Sequence, residues 1–509
     1  NAVALWIRYT KDVTIAAKRH DEVRVSWLVP DDEDAFPEPL PRYTGTMTSV
    51  YCKAYGGTDF TIDICDGAVL SFHHHYRNGD RLINAVLAEC ARRGLRGLTI
   101  APSSLFPVHA PLAAHVASGV IGDIVTDYAK GPVTDAMLSG ALRGPALLQS
   151  HGGRARALGT GLLRVDVAFV GASLAQPDGA CTGRGGVLPC GPLGYAQVDA
   201  AYARRTVVCA HEITRAPLPH CDIPAQHVDA VIPFNTPGEV SGIASDTTLP
   251  AQTPQALHIG GQVAQVIAAA GLMRDGMSLQ TGAGGYSLAA VPLIGAAMAQ
   301  AKVRGSFLSG GITGAHVALQ NAGLFARIRD VQCFDNTAVS SSITNPDHLC
   351  MSASEYANPL HPAPVVNHLS VMVLGAVEID RAFNVNVTIG GDGRLIGGPG
   401  GHPDAAKGAQ LTIVTTGLNA GGYAKLVEDV RCVSTAGSTV DLLVSDHGIV
   451  VNPNRPDLAA ELQRAGLLVS DFDTLKTMAA ETATQIRVAQ AAAPRLLVED
   501  RTGGMLDWA

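Results

Sequence analysis

Ala68-Val69-Leu70-Ser71-Phe72, then HHHYRNG over 73–79, then DRLINAVLAECARRG over 80–94, then Leu98-Thr99-Ile100-Ala101: this stretch decides the fold. Short apolar runs stand at either end of a segment whose apolar residues recur with helical spacing, so it reads strand, helix, strand. Asp80 is placed to cap the helix and Gly94 to close it, which gives about 13 residues. Outward from there the rhythm continues through HAPLAAHVASG (109–119) as helix and IGDIV (121–125) as strand. Alternation of this kind implies a parallel sheet covered by helices.

A second series starts near 250, with TPQALHIGGQVAQVIAAAG (253–271) as helix, MSLQTG (277–282) as strand, YSLAAVPLIGAAMAQAKV (286–303) as helix and SFLSG (306–310) as strand. LSVMVLGAVEI (369–379), LTIVTT (411–416) and VDLLVSD (440–446) supply later strands, and PDLAAELQRAG with DFDTLKTMAAE late helices. Asp66-Gly67 precedes the first strand of one series and Asp275-Gly276 that of the other, the mark of a tandem pair. Division follows as an irregular N-terminal arm over 1–45, a first α/β domain over 46–240 and a second over 241–509. One active site at the seam is the natural geometry, because open α/β sheets bind ligands beyond the carboxyl ends of their strands.

The chain's 509 residues, 47% apolar and 16% charged, suit two sizeable cores. A net charge of -8 with no Lys/Arg-rich run argues against nucleic acid, so an anionic substrate would need a local basic pocket. The ten cysteines show no ligand-like spacing and read as reduced thiols. With no signal peptide evident and no apolar run near the roughly 20 residues a membrane span needs, a cytoplasmic address is expected, without membrane contact.

Four segments carry candidate chemistry. Gln280-Thr281-Gly282-Ala283-Gly284-Gly285, between a strand and a helix, can present backbone N–H groups to a phosphate or oxyanion; alternatively it is a tight packing turn. In Ser71 to Asp80, His73 and His75 supply at most two ligands on one strand face and no third is evident, so no metal is expected. His73, His74 and Arg77 read instead as substrate-site or structural residues, and Arg77 can fork a carboxylate. Glu378 follows an apolar strand, where a carboxylate either reaches a site or requires a partner. Asn384 and Asn386 have same-face spacing and either bind substrate or pin a turn. Gly397 to Asp404 offers His402 oriented by Asp404 for proton shuttling, or a capped loop. Ser445-Asp446-His447-Gly448 is a site rim or a turn, and no Gly-x-Ser-x-Gly elbow exists.

Taken in order, SFHHHYRNGD, HAPL, SHGGR, CGPLGYAQVDA, QTGAGG, GGIT, EID-x3-NVNV, GGHPD and SDHGIVVNPNRP resemble the alpha chains of citrate lyase over about residues 66 to 500. The resemblance implies two tandem CoA-transferase-like α/β domains. It also implies exchange of acetyl for citryl on a carrier-protein thioester with release of acetate, the citryl thioester then being cleaved by a separate beta chain. No cofactor is bound permanently; the thioester belongs to the phosphoribosyl-dephospho-CoA arm of the gamma chain, the acyl carrier protein, with acetyl-CoA as an alternative. A multi-subunit complex is implied.

CoA-transferases that form a glutamyl thioester carry Gly-Ile-His-Ser/Thr-Glu; here Gly311-Ile312-Thr313-Gly314-Ala315-His316 puts Ala315 at the nucleophile's place. A ternary complex passing through a mixed anhydride is what remains. On that reading Glu378, Asn384, His402 and Asp404 are the catalytic candidates. Gly282, Ala283, Gly284, Gly285, Gly400 and Gly401 bind the thioester, and His73, His74, Arg77, Arg143 and Arg154 bind citrate. The family pattern is broken before Asp66, where helical character is missing, and at Tyr128-Ala129-Lys130-Gly131, which bears on recognition of the partner arm. Two rivals stand beside it. One is a glutamyl-class CoA-transferase or acyl-CoA hydrolase using Glu378; the other is a metabolite-sensing module, for which no helix-turn-helix counterpart is evident.

Overall fold

The computed structural model describes residues 64–244, 248–488 and 495–509 with their side chains. The arm over 1–45 lies outside these residues, save for the strand backbone of Val3–Ala16 and Glu22–Trp27, which pair antiparallel where an irregular extension is expected.

Two parallel sheets are built on one plan. In the first, Val69–Phe72 is central; Leu98–Pro102, Ile121–Thr126 and Ala146–Gln149 succeed one another to one side, and Val167–Ala175, Arg205–Ile213 and Ala230–Pro233 to the other. The second repeats this with Ser278–Thr281 central, Gly305–Ile312, Phe325–Cys333 and His348–Cys350 to one side, and Val371–Gly375, Leu411–Thr415 and Leu442–Ser445 to the other. The topological switch point therefore lies beside the first strand of each sheet, where open α/β folds place their ligands. The strand Val167–Ala175 is buried at every position but one, which is why its sequence runs almost wholly apolar and small.

The Asp-Gly signature is one device used twice. Asp66 Oδ1 accepts from the Arg96 N–H at 2.8 Å, and the Gly67 N–H donates to the Arg96 carbonyl at 3.0 Å. Asp275 Oδ1 accepts from the Arg304 N–H at 2.8 Å, and the Gly276 N–H donates to the Arg304 carbonyl at 2.8 Å. Both glycines have positive φ, 77° and 81°, which explains the residue type. Each pair ties the entry of the first strand to the entry of the second.

Helices form close to where capping predicts. Leu82–Arg92 runs 11 residues, with Asp80 Oδ1 accepting the Leu82 N–H at 2.9 Å and Gly94 at φ 77° beyond its end. Pro254–Ala269 starts on Thr253, whose side chain accepts from the Ala256 N–H. One boundary differs from the linear division. Leu496–Glu499 pairs parallel with Ala146–Gln149, and Met505–Trp508 closes antiparallel on it, so the chain's end joins the first sheet. The physical reason is the edge strand, whose unpaired backbone groups take a further strand from any part of the chain. Among the described residues no helix is long and apolar enough to cross a membrane.

Candidate active site

A cavity of about 530 Å³ lies where the loops beyond both switch points meet. The first half contributes His74, Arg77, Tyr128, His151 and Tyr195, and the second Gly282 to Gly285, Gln332, Gly400 to His402 and Lys425. The seam expected from the tandem arrangement is thus where the cavity forms.

Its second-half wall is a helix end. The Gly282 N–H donates to the Val373 carbonyl at 2.8 Å, Gly284 is the N-cap, and Gly285–Ala301 runs away from the cavity for 17 residues. The opening N–H groups of a helix have no partner within it and carry its positive dipole end. A Cβ added at Gly282 or Gly284 meets nothing closer than 3.7 Å, so side chains are absent here for the sake of the space in front of the backbone.

Facing it is the turn after Val69–Phe72. Arg77 adopts a left-handed φ of 52°, a conformation that costs energy for a residue with a side chain and marks constrained sites. Its guanidinium lies 4.5 Å from the Phe334 ring centroid and 5.1 Å from that of Phe106, so rings from both halves hold it. Burial pushes it down to about 10, and it remains a cation at neutral pH. His74 Nδ1 bonds Ser103 Oγ at 2.6 Å, and burial followed by neighbouring positive groups lowers its pKa, leaving it neutral. Lys425 brings the second cation to the wall; burial takes it down to about 8.

The Gly397–Gly401 loop crosses from the second half onto the first. The Gly400 N–H donates to the Asp127 carbonyl at 3.0 Å and the His151 N–H to the Gly400 carbonyl at 3.0 Å. A Cβ at Gly398 would stand 2.4 Å from the Asp127 carbonyl oxygen, so only glycine permits this crossing. It brings Gly400, Gly401 and His402 to the wall.

Several expected site residues lie elsewhere. Arg143 pairs with Asp123 on an exposed face. Arg154 and His73 both bind the buried Asp199, where burial works to raise the carboxyl but Arg154 and His73 outweigh it and hold it at about 2. Asp404 does not orient His402: it accepts from Ser150 Oγ at 2.6 Å and the Gly152 N–H at 2.8 Å, fastening the two halves together. His402 instead has Nε2 on the Gly375 carbonyl at 2.9 Å and Nδ1 on Thr435 Oγ1 at 2.6 Å. Glu378 has found partners and not the cavity; Arg487 lies at 2.9 Å, and Asn386 Nδ2 and the Arg431 N–H bond its other oxygen. Asn384 pins a turn through Asp380 and Gly437. Ser445–Gly448 is the turn of an antiparallel hairpin and does not line the cavity; Asp446 accepts from Gln255, which in turn bonds the wall residue Tyr286.

The wall also holds residues that no motif argument had singled out, His151, Tyr195, Phe334 and Lys425, with Asp127 buried behind His151. His151 and Tyr195 sat inside SHGGR and CGPLGYAQVDA, visible as motifs without a role; nothing around Lys425 signalled it. Among the described residues one group of metal-ligating type occurs, Asp330, Cys333 and His348. It flanks the wall residues Val331 and Gln332, and its atoms bond one another, Asp330 Oδ2 lying 3.1 Å from both Cys333 Sγ and His348 Nε2. None of His73 to His75 belongs to it.

Burial in and around the site sets an acid limit. It pushes His316 and His402 down to about 4 and His75, with His73 beside it, to about 3. Histidines with folded values below about 6.5 contribute stability above that pH and lose it as pH falls through the folded value. Asp404, raised by burial to about 6, acts oppositely, and its contribution is lost as pH rises through 6. Three histidines outweigh one carboxyl, so stability is expected to fall by several kcal/mol between about pH 6.5 and 4. Denaturant midpoints across that range check this; a midpoint rising toward pH 4 contradicts it.

Two equivalent parallel sheets whose switch-point loops share one cationic, glycine-walled cavity have the architecture of CoA-transferase-type enzymes, and the chain is a transferase of this class. The family described as citrate lyase, alpha subunit, matches residues 59–508. The citrate lyase alpha chain of Escherichia coli (strain K12) is 40% identical over 414 residues, 81% of each chain. A crystal structure of the citrate lyase alpha subunit from Streptococcus mutans, in complex with citrate, superposes with a TM-score of 0.85 at 37% identity over 88% of each chain. A Pseudomonas malonate decarboxylase hetero-tetramer shares the fold at 15% identity, with a TM-score of 0.61 over 82% of this chain and 85% of that one. The chain belongs to the citrate lyase alpha subunit family.

Proposed function

We propose that this transferase exchanges acetyl for citryl on the phosphoribosyl-dephospho-CoA thioester of an acyl carrier protein, within a complex that also holds a citryl-cleaving beta chain. The observation that carries it is the charge of the wall: Arg77 and Lys425 line it, and among the described residues no Asp or Glu does. In a chain of net charge -8, that is a local basic pocket suited to a tricarboxylate. A citrate carboxylate oxygen attacks the acetyl carbonyl, and the C–S bond breaks with its electron pair on sulfur. The sulfur then attacks the citryl carbonyl of the mixed anhydride and acetate leaves. Holding the reactants in register supplies effective molarities of about 10⁵ to 10⁸ M. The N–H groups at the start of Gly285–Ala301 stabilise the tetrahedral oxyanions, at roughly 3 to 4 kcal/mol per well-placed donor.

Two observations support a route without an enzyme thioester. Among the described residues no carboxylate lines the wall, and Ala315 lies in the first turn of the helix Gly314–Asn321, whose N-cap Thr313 is bonded by His316. The test mixes purified chain, acetyl-CoA or acetyl carrier protein, and labelled citrate. Labelled citryl thioester should form, with no enzyme thioester trapped by borohydride or hydroxylamine. No citryl thioester with any partner overturns the proposal, and a trapped enzyme thioester overturns its mechanism.

A further inference from the structure

Three histidines line the cavity, His74, His151 and His402, and their bonding separates them. His402 has both ring nitrogens engaged, by Gly375 and Thr435. His74 is bonded at Nδ1 to Ser103, and burial keeps it neutral. Only His151 combines a carboxylate behind it with a nitrogen turned to the void. Its Nδ1 lies 2.8 Å from Asp127 Oδ2, with side-chain exposures of 14% and 0%, and among the described residues no hydrogen bond engages its Nε2. Among the described residues the other Asp127 oxygen is buried without a hydrogen-bond partner, and His151 is the one side-chain donor this carboxylate faces. The ring packs at a tilt of 53° against Tyr195, with centroids 4.7 Å apart, and its backbone is tied to Gly400 of the other half. A carboxylate on Nδ1 fixes the tautomer and leaves Nε2 to give and take a proton.

We propose that His151, held by Asp127, is the acid and base for the thioester sulfur. This rests on the acetyl–citryl exchange argued above. As the citrate oxygen adds to the acetyl carbon and the C–S bond breaks, the sulfur takes the Nε2 proton of the His151 imidazolium. A thiol, the mixed anhydride and neutral His151 result. In the second half Nε2 takes the proton back as the sulfur attacks the citryl carbonyl, and acetate leaves with the C–O electron pair. No proton is consumed over the cycle. His151 is a catalytic residue in this scheme, and Asp127 positions it.

The experiment follows citryl thioester formation by the full chain with acetyl-CoA or acetyl carrier protein, in water and in deuterium oxide. The wild type should slow in deuterium oxide. His151→Gln should lose about 10²- to 10⁴-fold in kcat, with the citrate KM and the denaturant midpoint near wild type and the isotope effect gone. Asp127→Asn should lose in the same direction, because the amide favours the wrong tautomer. A wild type with no solvent isotope effect overturns the assignment, as does a His151→Gln chain that keeps its kcat or its isotope effect. A wild type forming no citryl thioester would instead fail the parent reading, so the two failures are distinguishable.

Discussion

Replacing Arg77 by glutamine should lower kcat/KM for citrate about 100-fold, most of it in KM, while the chain stays folded. The guanidinium is buried, charged and clamped between Phe106 and Phe334, so it meets an incoming carboxylate already oriented and mostly stripped of water. Truncating one partner of a buried, hydrogen-bonded charge pair costs 2–5 kcal/mol, and about 3 kcal/mol corresponds to roughly two orders of magnitude. Glutamine keeps much of the stacking bulk and leaves the left-handed backbone unchanged, so the loss reports the charge. Arg77→Lys should recover only part of it, because a point charge cannot fork a carboxylate. Steady-state kinetics against citrate, with denaturant midpoints as control, settle the matter. A kcat/KM within threefold of wild type would make Arg77 a stacking spacer.

Glu378→Ala should do the reverse, costing about 3 kcal/mol of stability while exchange per folded molecule stays near wild type. Glu378 is 2% exposed and holds three segments at once through Asn386, Arg431 and Arg487. Removing it leaves the Asn386 and Arg431 donors without their acceptor. Arg487, partly exposed, can turn to water, which keeps the cost at the lower end for a broken buried pair. The variant also tests the covalent rival, since Glu378 is its one attractive nucleophile in the sequence. Lost exchange in a chain with an unchanged midpoint would revive a glutamyl intermediate.

That Arg77 lines the cavity while Glu378 turns to partners outside it shows what a sequence conceals. A carboxylate after an apolar strand must be satisfied, and sequence presents a distant partner and a substrate as equals. Arg487, more than a hundred residues away, decides the question. His402 and Asp404 are two residues apart, yet helix geometry turns them to different neighbours, Asp404 to Ser150 and His402 to Thr435. The histidine–carboxylate pair at the cavity wall, His151 with Asp127 behind it, stands on separate elements, and no local spacing announces it.

The sequence by itself determined the parts governed by short-range physics. Apolar period and capping residues set the strands and helices, paired Asp-Gly turns declared the repeat, and the Gly282–Gly285 run placed a helix end with free N–H groups. Ala315 was equally legible, because the residue at one position of a motif needs no coordinates. Only the tertiary structure decided which charges face the cavity. It buried Arg77 between two aromatic rings, brought Lys425 to the wall, turned Arg143 and Arg154 to Asp123 and Asp199, and returned the chain's end to the first sheet. The reason is that a buried charge is settled by whichever partner packing brings within a few ångströms, and in this fold those partners lie on other elements of the chain.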